Sequence, residues 1–276
     1  MLGRVRPLLS FPAIIAGVSA LLMGCASDAS APSVPPPPAP VLLKEIVIPN
    51  LPSPYYHFEY GTDSRVRTVS FASGLRTYDV IYNGARIAEL RNNTAGNSDR
   101  LVYSYDDAGH VSMVKYIDGG GQVVAVVFLT YSGARLTELE RDRKVSAGYL
   151  AEKIMSFTYD ADGNVFEVTE RFRFDGSPET VTVDRYEDYD GKVNVDGFSL
   201  VHDEFFDHLV LLPGLVLQKS NPRRVTRTGD GTNFVVDHTY TYDAENRPLV
   251  KSGDLLITNG SDAGRRFAIR SDYSYY

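Results

Sequence analysis

From about Val41 onward, apolar and polar residues alternate in short runs separated by Asp, Asn and Gly. Tyr103-Ser-Tyr105, Phe157-Thr-Tyr159 and Tyr240-Thr-Tyr242 each place two aromatic rings two positions apart. In a strand, that spacing points both rings to one face. Each run ends in a polar turn, at Asp106 to Gly109, Asp160 to Gly163 and Asp243 to Asn246. Asp and Asn hydrogen-bond their own nearby backbone, and Gly or Asn accepts a positive φ. Strand, polar turn, strand is the signature of an antiparallel hairpin.

The hairpins repeat. Residues 82–90, Tyr-Asn-Gly-Ala-Arg-Ile-Ala-Glu-Leu, return at 131–139 as Tyr-Ser-Gly-Ala-Arg-Leu-Thr-Glu-Leu. Tyrosines 60, 82, 105, 131, 159, 189, 242 and 275 close successive units, and up to Tyr189 the steps are 22 to 30 residues. Such a step fits two strands of about six residues with short connections. The pattern predicts an all-β fold, an antiparallel meander of about fourteen to sixteen strands in an open, twisted or curled sheet, and it does not decide between an open sheet and one that curls toward a barrel.

Between Tyr189 and Tyr242 the rhythm breaks over 53 residues, with the insertion itself at 191–239. Apolar residues at 198, 201, 205, 206, 209 and 212, ahead of Pro213, have the spacing of a short amphipathic helix near residues 201–212. Its expected role is to lay Phe205, Phe206, Leu209 and Leu212 over a sheet face that lacks a second layer.

The N-terminus has a different character. Arg4 and Arg6 precede an uncharged apolar stretch, Leu8 to Met23, which is short for a membrane span and has the flanks of a signal peptide. Residues 26–41 are small, polar and Pro-rich, a composition that forms an extended tether and no core. The expected organisation is a signal peptide at 1–24, Cys25 with its tether at 25–41, and one β-repeat domain at 42–276.

Composition narrows the function classes. The chain has 28 basic and 35 acidic residues, a net −7, and loss of the signal removes two arginines to leave about −9. That balance argues against nucleic acid and against docking on an anionic lipid surface. Cys25 is the single cysteine, so no internal disulfide is available.

Candidate chemistry is thin. His202, Glu204 and His208 share one stretch, but histidines six apart diverge around a helix, unlike the four-residue spacing of zinc proteases. Asp160, Asp162 and Asn164 alternate as calcium ligands do, yet no closing Glu follows at the right distance, and turn chemistry accounts for them. Asp184, Glu187, Asp188 and Asp190 read as a solvated turn. There is no nucleophile elbow, phosphate-binding loop or dinucleotide fingerprint. The expectation is no catalytic residue, no metal and no cofactor. Eighteen Tyr and thirteen Phe make an aromatic glycan-binding face the alternative, although Trp, common on such faces, is absent.

Two resemblances complete the reading. Leu22-Met-Gly-Cys25 resembles the lipobox of bacterial lipoproteins, which implies cleavage before Cys25 and acylation of that residue. Ala26-Ser27 lacks the Asp that marks inner-membrane retention, so the outer membrane is the expected address, with the exposed side undecided. Tyr-x-Tyr-Asp-x-x-Gly-x-Val at 103–111 and 157–165, with Asn246 replacing Gly in the third copy, resembles the YD repeat of Rhs-type proteins. With Cys25, the tether and Lys219-Ser-Asn-Pro222, the chain is similar to small YD-repeat-like lipoproteins of Bacteroidota. That resemblance brings no catalytic residues. The expected function is a non-enzymatic envelope lipoprotein that displays a β-surface to a protein or polymer; surface glycan binding is the first alternative and glycan hydrolysis the second.

Overall fold

The computed structural model describes residues 41–174, 176–202 and 209–276. The signal peptide, Cys25 and nearly all of the tether lie outside the described residues, as do Glu204, Phe205, Phe206 and His208. Met1–Ala39 and Pro40–Tyr276 are separate units, and the described strands belong to the second.

Among the described residues, sixteen strands follow one another in chain order. The first eight are β1 (Leu43–Val47), β2 (Tyr56–Tyr60), β3 (Val66–Phe71), β4 (Arg76–Asn83), β5 (Arg86–Asn92), β6 (Arg100–Tyr105), β7 (Val111–Ile117) and β8 (Val123–Ser132). The second eight are β9 (Arg135–Val145), β10 (Gly148–Tyr159), β11 (Val165–Phe172), β12 (Thr180–Glu187), β13 (Arg224–Gly229), β14 (Phe234–Tyr242), β15 (Pro248–Ile257) and β16 (Arg266–Tyr275).

Each strand pairs antiparallel with the next, and β1 pairs with both β2 and β16. Ile46 lies opposite Tyr56 on one side and Tyr273 on the other. The sheet is therefore a closed barrel, which corrects the open or curled sheet expected from the sequence. Strand twist accumulated over sixteen strands brings the first and last together, and pairing them removes both unsatisfied edges.

Alternation along the strands sends apolar side chains inward. Val69, Tyr78, Leu90, Leu101, Val114 and Leu136 are all fully buried, each removal from water contributing about 1.5–3 kcal/mol for side chains of the Val and Leu type. A barrel of about eight strands is filled by wall side chains alone, and a sixteen-stranded one is wider. Here the described parts of residues 188–223, between β12 and β13, supply filling. Val201, Leu209, Val210 and Leu217 from that segment join the wall residues in one core.

In its described parts the filling is not the amphipathic helix expected near 201–212, a second correction; residues 203–208 of that stretch lie outside the described residues. Its described parts hold only a single 3-10 turn at Gly197–Val201, and residues 209–212 are not helical. The physical reason is in the backbone partners. Val165 N–H donates to Leu217 O over 2.9 Å, and Leu211 N–H donates to the Tyr103 hydroxyl over 3.1 Å. With wall groups satisfying its backbone and apolar contact on several sides, the segment needs neither an internal ladder nor a single apolar stripe.

The repeat has a mechanical meaning. At each turn the Asp side chain accepts the N–H four residues on: Asp106 from His110, Asp160 from Asn164 and Asp243 from Arg247, each over 2.8 Å. Just beyond the turn, the register slips by one residue opposite Tyr60, Tyr82, Tyr105, Tyr131, Tyr159 and Tyr242. Such bulges disrupt the ladder locally and re-aim the side chains beside them.

Candidate functional site

One end of the barrel, where even-numbered strands finish and odd-numbered strands begin, carries a ring of tyrosines. Each hairpin's tyrosine hydroxyl donates to the backbone carbonyl at the start of the preceding strand. Tyr60 bonds Leu43, Tyr82 bonds Val66, Tyr105 bonds Ile87, Tyr131 bonds Val111 and Tyr159 bonds Leu136, at 2.8–3.0 Å. Tyr189, Tyr240 and Tyr275 do the same to Val165, Pro222 and Pro248. The residue after each turn stacks on the next tyrosine. Arg65 covers Tyr82, Arg86 covers Tyr105, Arg135 covers Tyr159 and Arg247 covers Tyr275, with the guanidinium 4.4–5.3 Å from the ring centre. The tyrosine stripes thus turn inward with their hydroxyls engaged on backbone, and they do not form an exposed aromatic platform for sugar rings.

The outer wall is polar. Arg67 pairs with Glu59, Arg91 with Glu89, Arg185 with Glu167 and Arg266 with Asp254, at 2.5–2.9 Å. Lys115, Thr169 and Thr226 occupy the same outward phase on their strands. Exposed apolar side chains such as Ile81, Phe128 and Phe166 are scattered. Phe128, for instance, lies between Met113 and Glu140 in the ladder.

The lumen is divided. Toward β1–β8 it is apolar, whereas β9–β16 bring charged groups into the same interior. Glu152 sits at a register slip in β10 and is fully buried with Arg141; Arg143 Nε reaches it over 2.5 Å. Asp184 takes a two-pronged contact from Arg227 at 2.7 and 2.5 Å, a geometry suited to a guanidinium facing a carboxylate.

The most developed polar cluster joins the lumen segment to the wall. Asp196 stands just before the 3-10 turn. Its Oδ2 accepts the Tyr273 hydroxyl over 2.6 Å and Lys251 Nζ over 3.2 Å, and its Oδ1 accepts Asn194 Nδ2 over 3.3 Å. Burial opposes ionisation of this carboxyl, but the Lys251 charge and the three hydrogen bonds outweigh it, and its pKa falls below the ordinary carboxylate value. His238, on the neighbouring β14, is buried beside the Lys251 charge; both push its pKa down to about 3, and Asp196 opposes them less. The imidazole is therefore neutral at ordinary pH. Nearby, the Tyr56 hydroxyl lies 2.5 Å from His202 Nδ1, with Phe71 packed edge-on to that ring at 4.9 Å between centres.

A cleft of about 270 Å³ opens beside this cluster, and a second space of about 340 Å³ shares Ile48, Lys251 and Ser271 with it. Among the described residues, Asp196 is the one carboxylate in the lining of either space.

The sequence candidates are distributed differently. His202 lies in the cleft lining, whereas Glu204 and His208 lie outside the described residues. Asp160 and Asn164 form a hairpin turn, and Asn164 Oδ1 further accepts the backbone N–H groups of Lys219 and Ser220 at 2.9 and 3.1 Å, pinning the returning end of the lumen segment. The acidic group does not gather: Asp184 is engaged by Arg227, while Asp190 bonds Tyr242 and Asn221 at the root of the lumen segment. Among the described residues, no three His, Cys, Asp or Glu side chains are placed to hold a metal ion. Sequence reasoning missed Asp196, His238, Lys251 and Tyr273. The available signal was phase: Lys251 and His238 occupy inward positions of strands whose other inward residues include Val236 and Tyr240.

No protein-family model matches the chain, and comparison with curated proteins gives no match. Solved structures do match. A porin-like protein from Bacteroides vulgatus superposes with a TM-score of 0.57 at 17% identity, over 85% of this chain and 99% of that one. A porin-like protein from Bacteroides uniformis gives a TM-score of 0.56 at 11% identity, over 80% of this chain and 89% of that one. At these identities the likeness is one of fold.

Proposed function

We propose that this chain is a non-enzymatic protein of the bacterial cell envelope, held at the outer membrane by acyl groups on Cys25, whose barrel stands in water and presents its wall to a protein or polymer partner. The observation that carries the reading is the polarity of the two faces. A barrel that spans a membrane needs an outward apolar band about 25 Å tall, with strands of about 9–11 residues. This one turns Glu59, Glu89, Lys115, Glu167 and Asp254 outward, and its first two strands have five residues each. A charged residue on a lipid-facing midplane costs up to about 2–4 kcal/mol, so such a wall favours water. The porin-like architecture of the neighbours supports an envelope setting, and the Tyr-x-Tyr-Asp hairpins support kinship with the YD-repeat-like lipoproteins.

Labelling cells with radioactive palmitate tests the anchor. The expected result is label on the full chain, loss of label and release from the membrane fraction for Cys25→Ala, and a soluble, monodisperse domain from Val41 onward without detergent. Dependence of that domain on detergent would overturn the reading, as would membrane retention of the Cys25→Ala protein.

A further inference from the structure

The cleft between the lumen segment and strands β1, β15 and β16 has unused hydrogen-bonding capacity of a definite kind. Its polar lining includes Asp196, Ser199, Lys251 and Ser271, with Tyr55 and Ile48 as the larger apolar surfaces. Asp196 already accepts three hydrogen bonds, which leaves one of the roughly four lone-pair directions of a carboxylate. Lys251 donates to Asp196, leaving two of its three N–H groups. The hydroxyls of Ser199 and Ser271 have no partner among the described residues. A complementary ligand must therefore accept several hydrogen bonds and donate at least one.

Charge decides between the remaining classes. Lys251 and Asp196 neutralise each other at 3.2 Å, Arg270 beside the second space is paired with Asp272 at 2.6 Å, and His238 carries no charge at ordinary pH. An anion or a cation would leave a net charge beside the buried Asp196 carboxylate, where unpaired charge is costly. A neutral ligand leaves the pair matched. Aromatic and aliphatic surface at Tyr55 and Ile48 suits the C–H faces of a ring. Spaces of about 270 and 340 Å³ set the scale of a small molecule.

We propose that this cleft binds a small neutral polyhydroxylated ligand of the mono- or disaccharide class, with Lys251, Ser199 and Ser271 donating to its oxygens and Asp196 accepting from one hydroxyl. The site is separate from the outer wall and does not depend on the wall-binding reading. It moves sugar recognition from the tyrosine stripes, whose hydroxyls are engaged on backbone, to a polar interior edge.

The test uses the full-length protein and saturation-transfer NMR with a panel of neutral hexoses, their disaccharides and linear polyols, alongside the matching uronic acids and amino sugars. The expected result is binding of at least one neutral member at about millimolar concentration or below, with charged counterparts about tenfold weaker. Ser271→Ala and Ser199→Ala should each weaken binding about fivefold, and Ser252→Ala, on the outer face, should leave it unchanged. Lys251→Met is avoided because it strands a buried carboxylate; Ser271→Trp, which fills the cleft, should abolish binding in a protein whose unfolding midpoint is checked in parallel. Failure of every neutral ligand to bind would overturn the proposal. Preference for the charged ligands, or binding indifferent to both Ser271 variants, would do the same.

Discussion

The hydroxyl of Tyr105 donates to the backbone carbonyl of Ile87 over 2.8 Å, tying the end of one strand to the start of the strand beside it. The Tyr159 hydroxyl repeats the contact on Leu136. Ile87 and Leu136 are the same position of the twin phrases at 82–90 and 131–139, and the leading tyrosines of those phrases, Tyr82 and Tyr131, serve Val66 and Val111. Each phrase therefore supplies one donor to its own hairpin and one acceptor to the next. Tyr105→Phe is expected to cost about 1 kcal/mol, the usual value of one such bond, and Tyr105→Ala about 3 kcal/mol or more. Urea unfolding measures both; equal midpoints for wild type and Tyr105→Phe would show the hydroxyl to be idle.

Gly109 meets two demands at once. Its φ is +92°, and an added Cβ would lie 3.1 Å from Arg86 Nη2, the group stacked over Tyr105. Gly84 has a φ of +62° and open space around its Cβ position. Gly109→Ala should therefore destabilise the fold by about 1–2 kcal/mol, and Gly84→Ala by less. Chemical denaturation of the two variants side by side checks the order.

The Asp196 contact fastens the lumen segment to β15 and β16. Removing one member of a buried pair typically costs about 3–5 kcal/mol, because the other charge is stranded. Asp196→Ala should fall in that range, and the double variant Asp196→Ala/Lys251→Met should recover part of the loss. A double variant no better than the single would place the cost in the lost Tyr273 and Asn194 hydrogen bonds instead.

Acid sensitivity arises from His238. The unfolded chain takes up its proton near pH 6.5, while the folded imidazole resists until about pH 3. Between those values the unfolded state holds more protons, so stability falls as pH falls. The loss by pH 4.5 is about 3 kcal/mol. Asp196 adds to it at lower pH, since its depressed pKa contributes stability that disappears as the folded carboxyl protonates. His238→Leu should flatten the unfolding midpoint between pH 7 and 4.5, measured by tyrosine fluorescence across a pH series.

Thr226 lies on the outward phase of β13 and pairs with Arg185 and Val235. On a wall that meets water, Thr226→Glu should change stability by no more than about 0.5 kcal/mol and leave the domain soluble. A loss of several kcal/mol would mean that this surface is covered.

Much of the wall could be read from local sequence, because a hairpin is a local object. Tyr103 and Tyr105, the Asp106 turn and the fresh start at Val111 are specified within nine residues. Closure could not be read, because it depends on Ile46 meeting Tyr273 across almost the whole domain, and neither residue carries a signal for the other. The lumen segment misled for a definite reason. Its apolar positions at 198, 201, 209 and 212 have helical spacing, but inside a barrel the wall offers apolar contact on many sides, so the spacing loses its diagnostic value. The polar cluster was hidden in another way: Asp196, His238, Lys251 and Tyr273 come from four places in the chain, and only the completed register brings them together.

Pairing of β1 with β16 also sets a timetable. Among the described strands β1 comes first in the chain, yet four of its six paired positions face β16, the last. The Ile46–Tyr273 pairing is among the least local in the molecule, and contacts of that kind form late because the intervening chain must first be ordered. Until Tyr273 arrives, Glu45 and Val47 present unpaired backbone on one side while the hairpins between them and β16 assemble in sequence. Closing the ring therefore waits on a pairing between residues from opposite ends of the domain.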